Sequence, residues 1–293
     1  MEPLGVGIVH NPALSDLLRS DPYVVDYLSV TPETFWVDTE DGPGVARFAE
    51  IASMVDVLDE VARHRPVVAH GIGLSIASAG PVDVGLLDQV ARWHDRYDLR
   101  WYSEHLSYTT GSVSEGVDRR IGLGLPPAYD HDMLDLVCDR VATVTERVAT
   151  PFALENGVTY TDMPEQDMSE PAFFNALVER TGCSVLLDLH NLHTNVVNGM
   201  ADPAEYLDEL NLDAGGEIHV AGLHEVHGFH VDGHTGRCPR EVWDLLATVV
   251  PRCANLRGVT FEFHEGRYAD LGEQGVRDEL GRAREIWEAG RCR

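Results

Sequence analysis

Short apolar runs rich in valine, isoleucine and leucine recur along the whole chain, and segments of helix length separate them. Because these runs are almost continuously apolar, they are typical of parallel strands buried on both faces. The pattern predicts eight strands, at residues 4–10, 27–32, 66–71, 101–106, 152–156, 184–191, 217–222 and 259–264.

Helical periodicity occupies the segments between the runs. Apolar positions follow one another at helical spacing over residues 48–62 and again over 134–148. Ser169 is a predicted N-cap, Pro171 falls in the first turn after it, and Gly182 ends the same helix. The segment between the first two runs is short, so the sequence predicts its helix less clearly than the other helices.

Strands and helices that alternate eight times over 293 residues predict an α/β protein with one domain, a (β/α)8 TIM barrel spanning residues 1–293. The competing arrangement is an open doubly wound sheet. Its glycine-rich fingerprint is missing, since Gly71-Ile72-Gly73 lacks the third glycine. Two polar, glycine-rich stretches, 38–44 and 225–236, are predicted insertions at the barrel rim.

Composition narrows the classes of partner. Lysine and arginine number 22 against 49 aspartates and glutamates, a formal charge of −27. So acidic a surface repels phosphate backbones and anionic lipids, which argues against nucleic-acid and membrane binding. No signal peptide is visible, and no apolar segment approaches the roughly 18–20 residues of a membrane span. The five cysteines form no Cys-x-x-Cys pair, so we expect a cytoplasmic protein without a disulfide framework.

The positions of the 14 histidines carry most of the functional information. His64, His94 and His131 fall in predicted helical segments, where a histidine is usually a satisfied structural residue. The others lie at or just after predicted strand ends, and carboxylates and amides accompany them. The strand-end residues are His10, Asn11, Glu33, His70, Glu104, His105, Glu155, Asn156, Asp188, His190, Asn191, His193, Glu217, His219, His224, Glu262 and His264.

These strand-end side chains predict a metal site. The carboxyl ends of all barrel strands meet at one face, so the groups would surround a single cavity. Burying many imidazoles and carboxylates is costly unless they are paired, and metal ions satisfy both kinds of group. Two spacings also let two side chains reach one ion: Asp188 precedes Asn191 by three residues, and one glycine separates Asp232 from His234.

The ligand types narrow the metal. The sequence has no thiolate cluster, so structural zinc is not expected. Mixed imidazole and carboxylate donors suit iron, manganese or catalytic zinc. Because the candidates outnumber the ligands of one ion, we expect more than one metal, with a carboxylate such as Glu155 or Glu262 bridging neighbouring ions.

Several short motifs follow one another over nearly the whole chain. They are HGIGLS at 70–75, SEHLS at 103–107, LEN at 154–156, TGC at 181–183, LD at 187–188, Asn191 and GEIHVAG at 216–222. In this order they resemble the multinuclear non-haem iron-dependent oxidative enzymes, the family that includes the catalytic subunit of methanobactin oxidase. Together the motifs are specific, although any one of them alone is not.

The resemblance implies a barrel that holds two or three irons, in mixed Fe(II)/Fe(III) states, and uses O2 as co-substrate. The implied substrate is a ribosomally synthesised precursor peptide, modified at cysteine residues, and a small peptide-recognition partner protein is expected to deliver it. The residues that match the metal-binding positions are His70, His105, Glu155, Asp188, Asn191, His219, Asp232, His234 and Glu262.

Four further residues are expected to transfer protons near the metals, because histidine titrates close to neutral pH. They are Glu104, His190, His193 and His224. The chain also departs from the family pattern. His190 stands where the family commonly has asparagine, and the eighth run ends in Glu262-Phe-His where an acid-aromatic-acid pattern is typical.

Two other functions fit the same residues. The first is a divalent-metal sugar isomerase or epimerase of the xylose-isomerase-like barrels, which also ring a barrel mouth with histidine and carboxylates. The endonucleases of that group fit poorly with a charge of −27. The second is a non-catalytic subunit that binds metal or peptide and forms no product.

Overall fold

The computed structural model describes residues 2–39, 47–114, 117–161 and 166–291. Eight parallel strands close into a barrel in which each strand lies beside its neighbours in sequence and the last pairs with the first. The predicted TIM barrel is therefore confirmed. The strands are β1 (Gly5–Val9), β2 (Tyr27–Val30), β3 (Val67–Gly71), β4 (Tyr102–His105), β5 (Phe152–Glu155), β6 (Ser184–Asp188), β7 (Gly215–Ala221) and β8 (Gly258–Glu262).

All eight apolar runs contain a barrel strand, but the sixth run was predicted too long. Strand β6 ends at Asp188, and a helix begins at Leu189. The reason is local, because the Asp188 side chain accepts a hydrogen bond from the backbone N–H of Asn191 and so caps the helix. The apolar run continues across this boundary because the first turn of the helix is also buried.

Helices surround the barrel. The predicted helix with Ser169 as N-cap and Gly182 at its end is confirmed, whereas the helix predicted over 48–62 begins only at Ala52. Phe48 instead lies in a short strand and packs against Trp36. The helices are α1 (Ser15–Ser20), α2 (Ala52–Val61), α3 (Val84–Tyr97), α4 (His131–Arg147), α5 (Glu170–Thr181), α6 (Leu189–Val197), α7 (Pro203–Glu209), α8 (Arg240–Val249) and α9 (Tyr268–Arg291), which is broken at Gly272.

Antiparallel hairpins extend the chain beyond the carboxyl ends of β2, β4 and β7. Their strands are 36–38 with 48–50, 108–114 with 117–125, and 224–226 with 229–231. The third hairpin lies within the rim insertion predicted at 225–236. Of the insertion predicted at 38–44, residues 40–44 lie outside the described part of the chain. Within the described ranges, no helix combines the length and the apolar character needed to cross a bilayer.

Candidate metal centre

The register of the barrel strands brings the predicted ligands to one level. His105 on β4 is paired with Glu155 on β5, and Asp188 on β6 is paired with His219 on β7. Neighbouring parallel strands keep this alignment, so their side chains enter the mouth at similar depth. Within the described residues, five groups of three potential ligands have donor atoms within 4.8 Å of one another.

The first group consists of His70, His105 and Glu155. Each histidine directs Nε2 toward Glu155 Oε2, at 3.1 Å from His70 and 3.2 Å from His105. The second nitrogen of each ring, Nδ1, has its own hydrogen-bond partner. Nδ1 of His70 lies 3.0 Å from the Ser103 hydroxyl, and Nδ1 of His105 lies 3.3 Å from the carbonyl of Gly71. Outer partners of this kind orient metal-binding imidazoles.

The second assembly surrounds His219, at the centre of the mouth. Its Nδ1 lies 3.2 Å from Glu262 Oε1 and 3.7 Å from Glu155 Oε1. Glu155, Asp188 and His219 form one potential ligand group, and His70, His219 and Glu262 form another. Because Glu155 belongs to this assembly and to the first group, ions in the two places would be neighbours with a shared carboxylate.

Asp188 and Asn191 are positioned by backbone hydrogen bonds. Asp188 Oδ1 accepts from the N–H of Asn191, and Asn191 Nδ2 donates to the carbonyl of Asn156. Asn156 in turn accepts from the N–H of Asp188 and donates to its carbonyl. These contacts leave Asp188 Oδ2 and Asn191 Oδ1 buried without a hydrogen-bond partner among the described residues.

The third group lies nearest the rim and consists of His190, Asp232 and His234. We call it the outer cluster. Nε2 of His234 is 2.8 Å from Asp232 Oδ1 and 3.2 Å from Glu262 Oε2, and Nε2 of His190 is 3.8 Å from Asp232 Oδ1. Glu262 therefore connects the outer cluster to His219.

The electrostatics of the mouth are those of a site built for cations. Burial raises the pKa of Glu155 and, aided by repulsion from Glu155, raises that of Asp188 well above its usual range. Burial alone would lower the pKa of His234, but the carboxylates of Asp232 and Glu262 raise it to about 10. Several buried ligand atoms have no hydrogen-bond partner in the described part of the chain. They include Glu155 Oε2, Asp188 Oδ2, Asn191 Oδ1, both ring nitrogens of His190, His219 Nδ1, Asp232 Oδ1 and His234 Nε2. Such atoms are costly when unpaired and fit metal ions.

The residues expected to transfer protons lie in four different settings. His190 belongs to the outer cluster, whereas the charged neighbours of His193 are Glu241 and His230. His224 lies on the third hairpin, where it contacts Gly233. Glu104 accepts hydrogen bonds from the backbone N–H groups of Gly73, Leu74 and His105. Burial and repulsion from Glu33 raise the pKa of Glu104 to about 8.

Glu217 is the residue whose role the sequence did not reveal. It was grouped with the strand-end residues, but it points into the barrel one layer below His219, as the two-residue spacing on β7 requires. Its Oε1 lies 3.3 Å from His219 Nε2 and accepts from Thr260, while Oε2 accepts from Trp101 Nε1 at 2.6 Å. Glu217 thus lies next to His219 Nε2, whereas Nδ1 of the same ring faces Glu262 and Glu155.

Glu170 supports the loop that follows β5. Its carboxyl accepts hydrogen bonds from Tyr129 and from the N–H of Gly157, two residues after Glu155. Burial raises the pKa of Glu170 to about 7. The protonated form is therefore favoured in the folded chain, and this contribution to stability is lost as pH rises from about 4.5 to about 7.

We expect Glu170→Gln to remove this pH dependence, because glutamine stays uncharged and still accepts both hydrogen bonds. Urea unfolding of the metal-free proteins at about pH 5 and about pH 8 measures the difference. The wild-type chain should lose stability relative to the variant as pH rises. Tyr129→Phe removes a hydrogen bond that favours the ionised form, so it should steepen the loss. Parallel stability curves for wild type and Glu170→Gln would contradict the assignment.

Two cavities flank the ligand groups. The larger, of about 870 Å3, has an apolar wall that includes Ile51, Met54 and Phe263, with His10 beside it. The smaller, of about 320 Å3, is lined by Ser107 and Val158, among others. The residues that line both cavities are Ile72, His105 and Asp232. The two cavities therefore border the same part of the mouth, where His105 and Asp232 belong to ligand groups.

The fold is similar to that of several solved TIM barrels. It is similar to endonuclease IV from Thermus thermophilus, with a TM-score of 0.60, 14% sequence identity, and coverage of 98% of this chain and 99% of that one. A xylose isomerase-like TIM barrel protein from Mycobacterium smegmatis, in complex with magnesium, has a TM-score of 0.55 at 13% identity and covers 99% and 98% of the two chains. At such identities the likeness concerns the fold alone.

The chain belongs to the family described as RiPP precursor modification enzyme MbnB/TglH/ChrH, whose model matches residues 4–287. RiPPs are ribosomally synthesised and post-translationally modified peptides. A relative from Chromobacterium violaceum, named only as a UPF0276 protein, is 33% identical over 231 residues, which are 79% of this chain and 80% of that protein. A UPF0276 protein from Caulobacter vibrioides is 29% identical and covers 98% of this chain and 95% of its own. The family inferred from the motifs is thus confirmed.

Proposed function

We propose that this protein is an iron- and O2-dependent enzyme that oxidatively modifies a ribosomally synthesised precursor peptide at cysteine residues, with two or three irons at the barrel mouth. The observation that carries the proposal is the sharing of buried carboxylates between ligand groups, above all Glu155 and Glu262. Family membership supports a peptide substrate.

The donor set favours iron. Two histidines and one carboxylate form the first group and also the outer cluster. This combination, with open positions left for substrate and O2, is typical of non-haem Fe(II) oxygenases. Bound iron would supply one-electron redox chemistry with O2, while the chain fixes the ligands and the access to them.

The shape of the mouth favours a peptide over a sugar. The two cavities lie on either side of His105, Asp232 and Ile72, which line both of them. An extended chain could occupy both cavities, with one side chain directed at the metals. The apolar wall of the larger cavity excludes water and suits a thiol-bearing side chain. A charge of −27 favours a basic leader segment, delivered by a separate recognition protein.

Turnover needs proton-transfer groups near the substrate. Burial lowers the pKa of His10 to about 4, so this histidine lines the larger cavity as a neutral imidazole and is a weak proton acceptor. Glu104 lines the smaller cavity, and its pKa of about 8 favours the protonated carboxyl, which can donate a proton there. His193 and His224 remain predictions for the same task.

The experiment is anaerobic purification followed by reaction with peptide. The protein is co-expressed with precursor peptides encoded by small neighbouring reading frames, and mass spectrometry then compares peptide masses with and without O2. We expect bound iron, O2 consumption and an oxidised peptide, with turnover reduced about 100-fold or more in Glu155→Ala. Glu279→Ala, which removes a buried glutamate outside the mouth, should retain bound iron.

Four results would contradict the proposal. Substoichiometric iron after anaerobic purification would oppose an iron centre, as would full activity of Glu155→Ala. Turnover of a sugar with magnesium or manganese and no O2 would identify an isomerase or epimerase instead. Tight binding of metal and peptide without any product would identify a non-catalytic subunit.

A further inference from the structure

His190 has a buried imidazole whose hydrogen-bonding capacity is not used by any of the described residues. It is the second residue of α6, whose first turn is held by the Asp188 cap. Its side chain is 0% exposed, and neither ring nitrogen has a hydrogen-bond partner among the described residues. Burying an imidazole in this way costs free energy unless a ligand compensates.

The surroundings of the ring point to the compensating ligand. The rings of His190 and His234 lie 5.4 Å apart at 57°, so they approach one another without stacking. Asp232 Oδ1 lies 3.8 Å from Nε2 of His190 and 2.8 Å from Nε2 of His234. One nitrogen of each histidine and one carboxylate oxygen thus converge within 4.8 Å.

We propose that His190 is a metal ligand and that its Nε2, together with Asp232 and His234, binds a first-row transition ion in the outer cluster. The sequence alone predicts a proton-transfer role for His190. The side chain is fully buried and neither ring nitrogen has a hydrogen-bond partner among the described residues, and a neutral imidazole in such a setting is a good metal ligand. Two histidines and one carboxylate favour Fe(II) at this position.

The proposal rests on the metal centre of the proposed function, but it does not depend on peptide oxidation. The family that the motifs resemble commonly has asparagine at the position of His190. His190→Asn should therefore preserve the fold while it removes the imidazole. His94→Asn is the control, because it also replaces a histidine on a helix, and His94 lies in the last turn of α3 and belongs to none of the ligand groups found among the described residues.

The experiment titrates metal-free wild-type, His190→Asn and His94→Asn proteins with Co2+ under anaerobic conditions. Visible absorption reports the ligands of cobalt, and mass spectrometry of the desalted proteins reports metal per chain. We expect His190→Asn to lose about one equivalent or to bind it at least about 10-fold more weakly, with altered cobalt absorption. His94→Asn should match the wild type in both measurements.

A second measurement needs no variant. Anomalous diffraction from crystals of the cobalt-loaded wild-type protein should place an ion about 2.0–2.2 Å from His190 Nε2. Unchanged stoichiometry and absorption in a folded His190→Asn protein, or an ion in the outer cluster that His190 does not touch, would overturn the assignment. If His190 binds metal but no peptide is oxidised, only the proposed function fails.

Discussion

Glu155→Gln is expected to release metal from two neighbouring places at once and to weaken metal binding by about 100-fold or more. The reason is that Glu155 Oε2 faces His70 and His105, while Oε1 faces His219. Glutamine has one oxygen and no charge, so it cannot bridge two ions. Metal content after reconstitution with Fe2+ under anaerobic conditions measures the loss.

The same substitution should have the opposite effect on the metal-free chain. Burial raises the pKa of Glu155, which means that the ionised carboxylate destabilises the folded protein when no cation is present. Metal-free Glu155→Gln should therefore unfold at the same temperature as metal-free wild type or at a higher one.

The control for Glu155 is Glu279→Gln. Glu279 lies on α9 and is also buried, but it accepts hydrogen bonds from Cys238 and Arg237, outside the mouth. This variant should lower stability and leave metal content unchanged. Equal loss of metal in both variants, or full metal content in Glu155→Gln, would show that Glu155 does not bridge the ligand groups.

Glu217→Gln should weaken metal binding about 10- to 100-fold, although Glu217 is not itself a predicted ligand. In the wild-type chain, Glu217 Oε1 lies 3.3 Å from His219 Nε2, and a carboxylate at this distance favours the tautomer with its proton on Nε2 and the Nδ1 lone pair toward Glu262 and Glu155. A glutamine must turn its oxygen toward the Trp101 N–H, which donates to Oε2. Its amide NH2 then faces His219 Nε2 and favours the tautomer with a proton on Nδ1, which cannot bind metal.

Titration of metal-free protein with Co2+ measures this loss, and thermal unfolding shows whether the variant is folded. Trp101→Phe is the informative companion, because it removes the donor to Oε2 and leaves the oxygen that faces His219. Its metal affinity should fall less than that of Glu217→Gln. Wild-type affinity in Glu217→Gln would mean that the tautomer of His219 is set by another group.

Much of the fold was predictable because a closed parallel barrel imposes one pattern on the chain. Each strand is buried on both faces, so its apolar run is visible, and its carboxyl end is marked by a polar residue such as His70 or Glu155. The end of β6 was misplaced because Leu189 and Leu192 in α6 are as buried as the strand itself. Apolar content alone does not distinguish a buried strand from the buried helix that follows it.

The ligand groups were predictable as a set but not as an arrangement. Strand ends identify which residues reach the mouth, whereas their grouping depends on strand register and on side chains that reach across it. His190 shows the difference: two residues past the end of β6, it turns toward Asp232 and His234, which come from a loop much later in the chain. The role of Glu217 depends on its contacts with Trp101 and Thr260, which come from other strands or strand ends.

The pairing of β8 with β1 has a consequence for the order in which the protein matures. His70, His105 and Glu155 come from three successive strands and need only the first half of the chain. Glu262 comes from the final strand, so every ligand group that contains it forms only when the barrel closes on β1. Domains generally fold as units. The ligand groups that contain Glu262 are therefore complete only once β8 has joined β1, and any metal ion held by them would bind after the barrel has closed.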